Sequence, residues 1–476
     1  MKRFGLAISL LIKGCFVFII VLPENGFAQT PAFRPNIVFI MADDLTLWDI
    51  EPYGSKQVHT PHLARLAEEG MCLDNMFNVV PICSPTRQSL LTGLGPVRNG
   101  AYPNHSVIYD GIKTLPVYLQ ELGYRTALIG KKHYSPEASY PFDFLGGREH
   151  DDGDGQDVDL SKAEGYIQAA GNTPFFLMFT SNQPHSPWNR GNSAVYDSGE
   201  IELGPNMVDT ELTRRQMADY FAEITYLDSL VGACLAIIDR SGHGDNTIVI
   251  FATEQGNSFP FSKWTLYDQG LRSGFIVRWP GKVKPAARSG AMLQYLDVLP
   301  TLIDIAGGRA EAVNTGSTDA NGGVGFDGQS FKDVLLGKRT KQRTYVHGMN
   351  TTRGIHHGSE AYASRSVRDT TFLYIENLNH GNRYANVVTI SKLFESWAEA
   401  DASRAREYIQ RPHEELYHVV NDPYQLVNLA ADPNYGEVKA RLKNEMVKFM
   451  KQQGDEGVGT EMKAFERQRG RQKGNK

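Results

Sequence analysis

The sequence predicts an α/β protein whose mostly parallel β-sheet is sandwiched by helices, followed by a smaller α+β domain. Four short, continuous apolar runs are each followed at once by polar residues, a pattern typical of strands buried on both faces of a parallel sheet. These runs span residues 36–42, 126–129, 175–179 and 247–251. Apolar positions at helical spacing between Met217 and Leu235 indicate a long amphipathic helix. Strands and helices that alternate in this way favour a parallel sheet with helices on both faces.

Polar residues stand at the carboxyl end of each predicted strand. They are Asp43-Asp44, Gly130-Lys-Lys-His133, Gln183-Pro-His185 and Thr253-Glu-Gln-Gly256. Between the first and second runs, Thr60-Pro61 predicts a helix start, because threonine suits the N-cap and proline suits the first turn. In sheets of this type, ligands bind outside the carboxyl ends of the strands. We therefore expect the four polar clusters to converge on one site.

The chain divides into four segments by composition. Residues 1–28 have the pattern of a secretory signal, and an uncleaved anchor or a lipoprotein attachment at Cys15 are the alternatives. Residues 29–343 form the main domain, residues 344–462 the smaller α+β domain, and residues 463–476 a basic tail that we expect to be disordered. The mature protein is expected to be exported. The periplasm is the expected location, and secretion from the cell is the alternative. We expect no stable membrane insertion, since no later stretch is long and apolar enough to span a bilayer.

Charge and cysteine content exclude two broad classes of protein. The 49 lysines and arginines against 54 acidic residues give a formal charge of −5, which lacks the basic excess that nucleic-acid binding usually requires. Four cysteines in 476 residues cannot form a disulfide framework. Cys72 and Cys234 are expected to pack in the core, whereas Cys83 stands in a distinctive motif.

That motif, Cys83-Ser-Pro-Thr-Arg87, is the most informative pentapeptide of the chain. Pro85 suits the first turn of a helix, so residue 83 would lie at a helix N-terminus, where backbone N–H groups and the helix dipole favour an anion. By themselves, these residues also allow a buried cysteine beside a structural arginine. The motif matches the C-x-P-x-R signature of type I sulfatases, and the resemblance covers nearly all of the chain after the signal.

Further motifs refine this resemblance. Gly130-Lys-Lys-His133 followed by Tyr140-Pro-Phe-Asp-Phe144, and later Arg365-Ser-Val367, look closest to the heparan N-sulfatase (sulfamidase) group, whose bacterial relatives include sulfatases of algal polysaccharides such as ulvan. The resemblance implies an alkaline-phosphatase-like α/β core with a small C-terminal domain. It also implies that a maturing enzyme oxidises Cys83 to formylglycine (3-oxoalanine). One hydroxyl of the hydrated aldehyde would then be the nucleophile, and the second would collapse the formylglycine-sulfate intermediate.

The resemblance also implies one bound divalent cation. Its ligands would be Asp43, Asp44, the formylglycine oxygen at Cys83, Glu254 and Gln255. Family members more often carry aspartate followed by asparagine or histidine at the last two positions, so Glu254-Gln255 departs from the pattern. All of these side chains offer oxygen donors, which favour a hard cation, calcium first and magnesium second, over zinc.

The remaining motif residues supply positive charge and protons, in roles that the resemblance implies. Arg87 would hold the formylglycine and the metal, Lys131 would bind sulfate, and His133 would assist formylglycine turnover. His185 and Lys263 would act on the leaving-group side. Sulfate transfer needs cations near the sulfuryl oxygens and a proton donor for the departing atom, which these residue types provide.

The expected activity is removal of sulfate from a sulfated polysaccharide such as ulvan, or from its oligosaccharides. The alternatives are an N-sulfoglucosamine sulfohydrolase acting on heparan-type substrates, a phosphatase or phosphonate hydrolase of the same superfamily, and an inactive relative that binds polysaccharide. His105, Arg98 and His150 are candidates for sugar recognition because they lie near the motif segments. Their interpretation as solvated loop residues fits the sequence as well.

Overall fold

The computed structural model describes residues 34–150 and 157–469. The predicted signal, residues 1–28, lies outside the described residues, and so does the end of the predicted tail, residues 470–476. The described residues from Arg34 onward belong to one compact unit.

In this part of the chain, nine strands form the main sheet. They are β1 (Asn36–Ala42), β2 (Met71–Phe77), β3 (Arg125–Gly130), β4 (Asp143–Phe144), β5 (Phe175–Thr180), β6 (Thr247–Thr253), β7 (Arg272–Ser273), β8 (Phe275–Arg278) and β9 (Ala287–Gln294). Their order is β4-β3-β5-β1-β6-β8-β2-β7, and β9 pairs with β2 outside this path. The run from β4 to β6 is parallel, whereas β8 is antiparallel to both β6 and β2. The predicted, mostly parallel sheet is confirmed, with antiparallel strands added at one side.

The four predicted strands are neighbours in the middle of this sheet. They are β3, β5, β1 and β6, in that order. β1 has the predicted bounds, and the other three extend past the apolar runs by one or two residues. Because these four strands are parallel, their carboxyl ends lie at the same edge of the sheet.

Helices cover both faces of the main sheet. The helices of the described part of the chain, which include some that lie outside this sheet, are α1 (Pro61–Glu68), α2 (Cys83–Thr92), α3 (Pro96–Asn99), α4 (Leu115–Glu121), α5 (Leu160–Gln168), α6 (Glu211–Arg240), α7 (Asp268–Leu271), α8 (Val298–Ile305), α9 (Lys332–Leu335), α10 (Lys392–Ala400), α11 (Ala402–Ile409), α12 (Gly436–Gln453) and α13 (Val458–Met462). Successive residues of β1 point to opposite faces. Val38 and Ile40 join a core cluster with α1, α5 and α6, while Ile37 and Phe39 join another with α2, α4 and α8. The predicted sandwich of sheet and helices is therefore confirmed.

α6 is long and apolar enough to cross a membrane by length and composition, the one such helix among the described residues. The expectation that no later stretch has this character is therefore wrong. α6 is apolar because it is a core helix: 67% of its most apolar 18-residue stretch is buried inside the fold. Phe221, Leu227 and Leu235 pack in the same cluster as β1.

Four antiparallel strands form a second, smaller sheet. They are β10 (Val346–Asn350), β11 (Ser364–Arg368), β12 (Phe372–Asn377) and β13 (Glu414–His418). α12 packs on this sheet through Leu442 and Met446, which join Val367, Tyr374 and Leu416 in a separate hydrophobic cluster. The predicted smaller α+β part at the C-terminal side is present.

Residues 463–469 are packed against the fold, whereas the sequence predicted the start of a disordered tail. Gln468 pairs with Ser106 in an isolated antiparallel bridge. Its side-chain amide donates to the carbonyl oxygens of Asn104 at 3.0 Å and Gly354 at 2.8 Å. Basic composition does not reveal these contacts, because the partners are distant in sequence and become neighbours only in the folded protein.

Candidate active site

The polar clusters of the four central strands meet at one edge of the main sheet. Asp43 and Asp44 follow β1, Lys131 follows β3, and Glu254 follows β6. These four residues are fully buried. His185 comes from the loop after β5 and lines the cleft above them. The structure thus brings together side chains that are far apart in sequence, as the sheet geometry requires.

Cys83 is the first residue of α2, with Ile82 at the N-cap and Pro85 in the first turn. It is 4% exposed and lines the cleft. Burial raises the pKa of the Cys83 thiol to about 11, although Lys131 and Lys263 act in the opposite direction. The unmodified side chain is therefore a protonated thiol near neutral pH and not a thiolate nucleophile.

Three bases and three acids pair one to one in this buried cluster. The pairs are Arg87 Nε with Glu254 Oε1 at 2.5 Å, Lys131 Nζ with Asp43 Oδ2 at 2.5 Å, and Lys263 Nζ with Asp44 Oδ2 at 2.7 Å. Their side chains are at most 3% exposed, so the charges are maintained by pairing rather than by water. With all six groups ionised, the cluster is neutral before any ligand binds.

The oxygen atoms of this cluster fit a divalent cation. Carboxylate oxygens of Asp43, Asp44 and Glu254 lie within 4.8 Å of one another, and the Cys83 thiol is not part of that set. Among the described residues, Asp43 Oδ1 and Gln255 Oε1 are buried without a hydrogen-bond partner. Buried oxygens of this kind are costly unless a ligand satisfies them, and a set of oxygen donors suits a hard cation better than zinc. The predicted contribution of residue 83 as formylglycine stays a prediction.

The acids of the cluster differ in proton affinity. Burial raises the pKa of Glu254 above its ordinary value, and Asp43 adds to this effect while Arg87 opposes it. For Asp43, burial acts upward as well, but Lys131 and the other bases outweigh it and hold its pKa well below the ordinary value. Adjacent carboxylates whose pKa values are pushed apart are expected where repulsion is relieved by a shared proton or a cation.

Asp44 connects this cluster to the predicted leaving-group residues. Its carboxylate accepts hydrogen bonds from Lys263 and from Ser258 Oγ at 2.7 Å, and His185 Nε2 lies 3.7 Å from its Oδ2. His185 Nδ1 is 2.6 Å from the carbonyl oxygen of Ser186, and because a carbonyl only accepts, Nδ1 carries the proton. Burial lowers the pKa of His185 to about 4, with Asp44 opposing, so the ring is neutral near pH 7.

Four histidines follow one another along the cleft. His133 Nε2 lies 3.1 Å from His105 Nδ1. The ring centroid of His150 is 6.2 Å from that of His133 and 6.1 Å from that of His185. Burial first, and then Lys131, lowers the pKa of His133 well below its ordinary value. His105 and His150, the predicted candidates for sugar recognition, therefore lie where a substrate can reach them.

Arg98 lies elsewhere, so this candidate for sugar recognition is wrong. Its buried guanidinium donates to Asp327 Oδ1 at 2.8 Å and to the carbonyl oxygens of Ser317 at 2.6 Å and Gly323 at 3.1 Å. Arg98 thus anchors the glycine-rich segment 307–328, and it is not among the described residues that line the cleft.

The cleft has a volume of about 540 Å³ and includes walls that strand-end reasoning does not predict. Trp188 and Trp264 line it, and so do Ile355, His356 and residues between 387 and 393. Trp188 stands three residues after His185, and its closeness to that predicted site residue could have suggested it. No sequence signal marks the C-terminal residues, because they reach the cleft only through packing against the main domain.

The Sulfatase family model matches residues 35–308, more than half of the chain. The chain belongs to the sulfatase family. It is therefore a sulfuric ester hydrolase by descent, and its C-x-P-x-R motif begins the helix at the cleft. An ulvan-active sulfatase of Formosa agariphila is 32% identical over 424 residues, covering 89% of this sulfatase and 81% of that protein. The N-sulphoglucosamine sulphohydrolase of Homo sapiens is 26% identical over 484 residues, which cover 92% of this sulfatase and 93% of that protein.

A solved structure confirms the fold of this sulfatase. The structure, of a protein in complex with its substrate D-glucosamine-2-N,6-O-disulfate, aligns with a TM-score of 0.67 over 89% of this sulfatase and 99% of that chain. The two sequences are 20% identical, a level that establishes the fold and not the substrate. The expected alkaline-phosphatase-like core is thereby confirmed.

Proposed function

We propose that this sulfatase removes sulfate from a sulfated polysaccharide of the ulvan type, or from its oligosaccharides, after export to the periplasm. The observation that carries the proposal is the convergence of Cys83 and three buried ion pairs on one cleft. The 32% identical ulvan-active relative supports the choice of polymer. A heparan-type substrate with N-sulfate is the second candidate, which the human N-sulphoglucosamine sulphohydrolase supports.

Cys83 is proposed to be the site of formylglycine, made from the cysteine by a maturing enzyme. When present, the hydrated aldehyde supplies a hydroxyl nucleophile and a second hydroxyl that permits release of sulfate. The family motif supports this assignment, and so does burial, which keeps the unmodified thiol protonated. The N-terminus of α2 adds backbone N–H groups and a dipole that favour the negative charge of sulfate.

Buried bases offset the charge on the sulfuryl oxygens. Burial opposes the charged form of Lys131 and Lys263, but their aspartate partners outweigh it, so the pKa of each lysine is raised and both stay protonated. Arg87 is fixed by Glu254 one turn after Cys83 on α2. Charges placed in advance in this way stabilise a transition state without reorganisation.

Asp43, Asp44, Glu254 and Gln255 would hold one divalent cation, Ca²⁺ before Mg²⁺. A cation there supplies electrostatic stabilisation of charge on the sulfuryl oxygens. The unpartnered oxygens of Asp43 and Gln255 support this assignment. Glu254-Gln255 departs from the usual residue pair, but it keeps an oxygen donor at both positions.

His185 and Lys263 are assigned to the leaving-group side. Neutral His185 holds its proton on Nδ1 against the Ser186 carbonyl, so Nε2 must first take a proton from solvent, which reaches this 25% exposed side chain in the cleft, before it can donate one. Asp44 is 3.7 Å from Nε2 and stabilises the imidazolium that results. The departing sugar oxygen or nitrogen then takes this proton. His133, whose lowered pKa keeps it neutral, can accept a proton when sulfate is released.

Mass spectrometry of the peptide that contains residue 83 tests the modification. Protein made together with a maturing enzyme should carry the aldehyde, and an active preparation that retains cysteine there would contradict the assignment. Cys83→Ala should reduce sulfate release by roughly 1,000-fold or more, because it removes the nucleophile. Its melting temperature should stay close to that of the wild type. Cys72→Ala, a buried cysteine outside the cleft, is the matched control and should remain active.

Desulfation of defined oligosaccharides tests the substrate. We expect sulfate release from ulvan oligosaccharides and none from carrageenan oligosaccharides. Release confined to N-sulfated glucosamine units of heparan would favour the second candidate. Faster hydrolysis of phosphate or phosphonate esters than of sulfate esters would contradict the proposed reaction.

A further inference from the structure

A second pocket of about 540 Å³ adjoins the catalytic cleft. His105, Ile355 and His356 line both, so the two cavities share a wall. Cys83 lines the catalytic cleft and does not line the second pocket. A substrate that places one sulfated unit at Cys83 and continues beyond it therefore meets the second pocket directly.

Three segments that are distant in sequence build this second pocket. They are the turn at His105, the loop of residues 353–360, and the C-terminal residues Phe465 and Gln468. The amide of Gln468 joins the first two segments, since it donates to carbonyl oxygens in both. The pocket is therefore held by hydrogen bonds and is not a gap between loosely placed loops.

Glu461 on α13 fixes the loop from the other side. Its Oε1 accepts from the backbone N–H groups of Arg353 at 2.8 Å, Thr352 at 2.9 Å and Tyr362 at 3.2 Å. The Glu461 side chain is fully buried, so these charge-assisted hydrogen bonds are not weakened by water. The loop is consequently ordered before any ligand arrives.

The lining of the pocket carries one full positive charge, that of Arg353, against one exposed carboxylate. The Arg353 guanidinium lies over the Phe465 ring at 4.3 Å, and its Nη1 donates to the carbonyl oxygen of Glu360 at 3.2 Å. Three imidazoles, those of His105, His356 and His357, line the same pocket. The lining contains one acid, Glu360, whose side chain is 86% exposed and 3.5 Å from Arg353, a geometry worth little in water.

One N–H group of the Arg353 guanidinium lacks a hydrogen-bond acceptor within the described part of the chain. Its Nε is buried and has no partner among the described residues. Because that Nε is shut off from solvent, an anionic oxygen group in the pocket would be bound through the part of the guanidinium that belongs to the 16% exposed surface of the side chain.

We propose that the second pocket is a sugar subsite that binds the unit next to the sulfated unit, with Arg353 taking an anionic oxygen group of that unit. The inference rests on the proposed function, since it requires a carbohydrate chain as substrate. The anionic group is a uronate carboxylate or a second sulfate, which share the chemistry that Arg353 recognises. This sulfatase therefore prefers oligosaccharides to single sugars.

Kinetics of Arg353→Gln tests the subsite. The substrates are ulvan and heparin tetrasaccharides, with 4-nitrophenyl sulfate as a small substrate that does not reach the second pocket. The variant should raise KM for the tetrasaccharide about tenfold, with kcat and the 4-nitrophenyl sulfate rate within about twofold of the wild type. Arg353→Lys should have a KM for the tetrasaccharide between those of the wild type and Arg353→Gln. Arg309→Gln, at an exposed arginine that pairs with Glu311, is the control.

A carboxyl-reduced tetrasaccharide distinguishes the two anionic groups. If Arg353 binds a carboxylate, reduction should raise the wild-type KM to that of Arg353→Gln and leave the variant unchanged. If it binds a second sulfate, reduction should leave both proteins unchanged. The subsite would be overturned if Arg353→Gln lowered kcat/KM equally for the tetrasaccharide and for 4-nitrophenyl sulfate, or if it lowered neither.

Calorimetric binding to Cys83→Ala protein separates the subsite from the reaction. A tetrasaccharide should bind about tenfold more tightly than a sulfated monosaccharide from the same polymer, and Cys83→Ala/Arg353→Gln should lose that difference. Equal affinities for the two lengths would overturn the subsite, as would a difference that survives the loss of Arg353. Tight tetrasaccharide binding without sulfate release by the wild type would instead refute the proposed function and leave the subsite standing.

Discussion

Asp43 serves two purposes in the catalytic cluster, since its Oδ2 holds Lys131 and its Oδ1 has no partner among the described residues. Asp43→Asn should lower sulfate release roughly 100-fold or more, because it removes one of three clustered carboxylates. It should also abolish the rise in melting temperature that Ca²⁺ gives the wild type. A ligand at about 100 times its Kd stabilises the folded state by about 2.7 kcal/mol.

Thermal melts in EDTA and in CaCl₂ measure this effect. Asp74→Asn is the matched control, because Asp74 pairs with Arg288 near the surface at 2.5 Å and lies outside the cluster. It should keep the full response to Ca²⁺. An equal response in Asp43→Asn would show that the cation binds elsewhere.

His347 makes a second prediction at the scale of one residue. Its ring stacks on Phe449 with centroids 4.0 Å apart, and neither ring nitrogen has a hydrogen-bond partner among the described residues. Burial, and then Arg343, lowers the pKa of His347 from 6.5 to about 3. The unfolded chain therefore binds a proton that the folded chain does not, and stability falls as the pH drops from 6.5 toward 3.

His347→Phe keeps an aromatic ring in the stack and removes the titration. The wild type should lose free energy of unfolding between about pH 7.5 and pH 5, and in His347→Phe this loss should be smaller by about 2 kcal/mol. Urea denaturation at the two pH values measures the change. His59→Phe, at a side chain that is 85% exposed, is the matched control for replacing a histidine by phenylalanine. An unaltered dependence in His347→Phe would contradict the assignment.

At the scale of elements, the short helix α13 acts through one carboxylate. Glu461→Ala leaves three backbone N–H groups of the loop 352–362 without an acceptor, and should lower the free energy of unfolding by about 2–3 kcal/mol. Hydrogen exchange in that loop should quicken, while the rate with 4-nitrophenyl sulfate stays near the wild-type value. Glu437→Ala, an exposed acid on α12, is the control. Unchanged exchange would show that other contacts order the loop.

Elements buried on both faces were predictable, and elements defined by their neighbours were not. β1 has the bounds that its apolar run predicts, because a run of seven residues before Asp43 has the length of a buried strand and is short for a helix. β7 has two residues and β4 has two, too few to carry a pattern. Residues 387–393 reach the cleft through tertiary packing, which leaves no local signal. Asp43, Lys131 and Glu254 were found because each one follows a predictable strand, whereas Lys263, in the loop between β6 and α7, was found only through the family resemblance.

At the scale of the whole molecule, the C-terminal segment joins the catalytic domain to the smaller sheet. A chain that ends at Met462 loses the two Gln468 hydrogen bonds and the Arg467 guanidinium that lies 4.0 Å from the Tyr109 ring centroid. Its melting temperature should fall by about 2–4 °C per kcal/mol lost, and its KM for tetrasaccharide should rise. A chain that ends at Arg469 keeps all of the contacts described and is the reference. Equal behaviour of the two chains would refute this role.

The separation along the chain between the catalytic cluster and Gln468 has a consequence for biosynthesis. The residues of the catalytic cluster lie between Asp43 and Lys263, whereas the second pocket needs Gln468. At about 5–20 residues per second, synthesis reaches Gln468 roughly 10–40 s after Lys263. A growing chain therefore acquires its groups for chemistry well before it acquires the residue that closes the pocket for a neighbouring sugar.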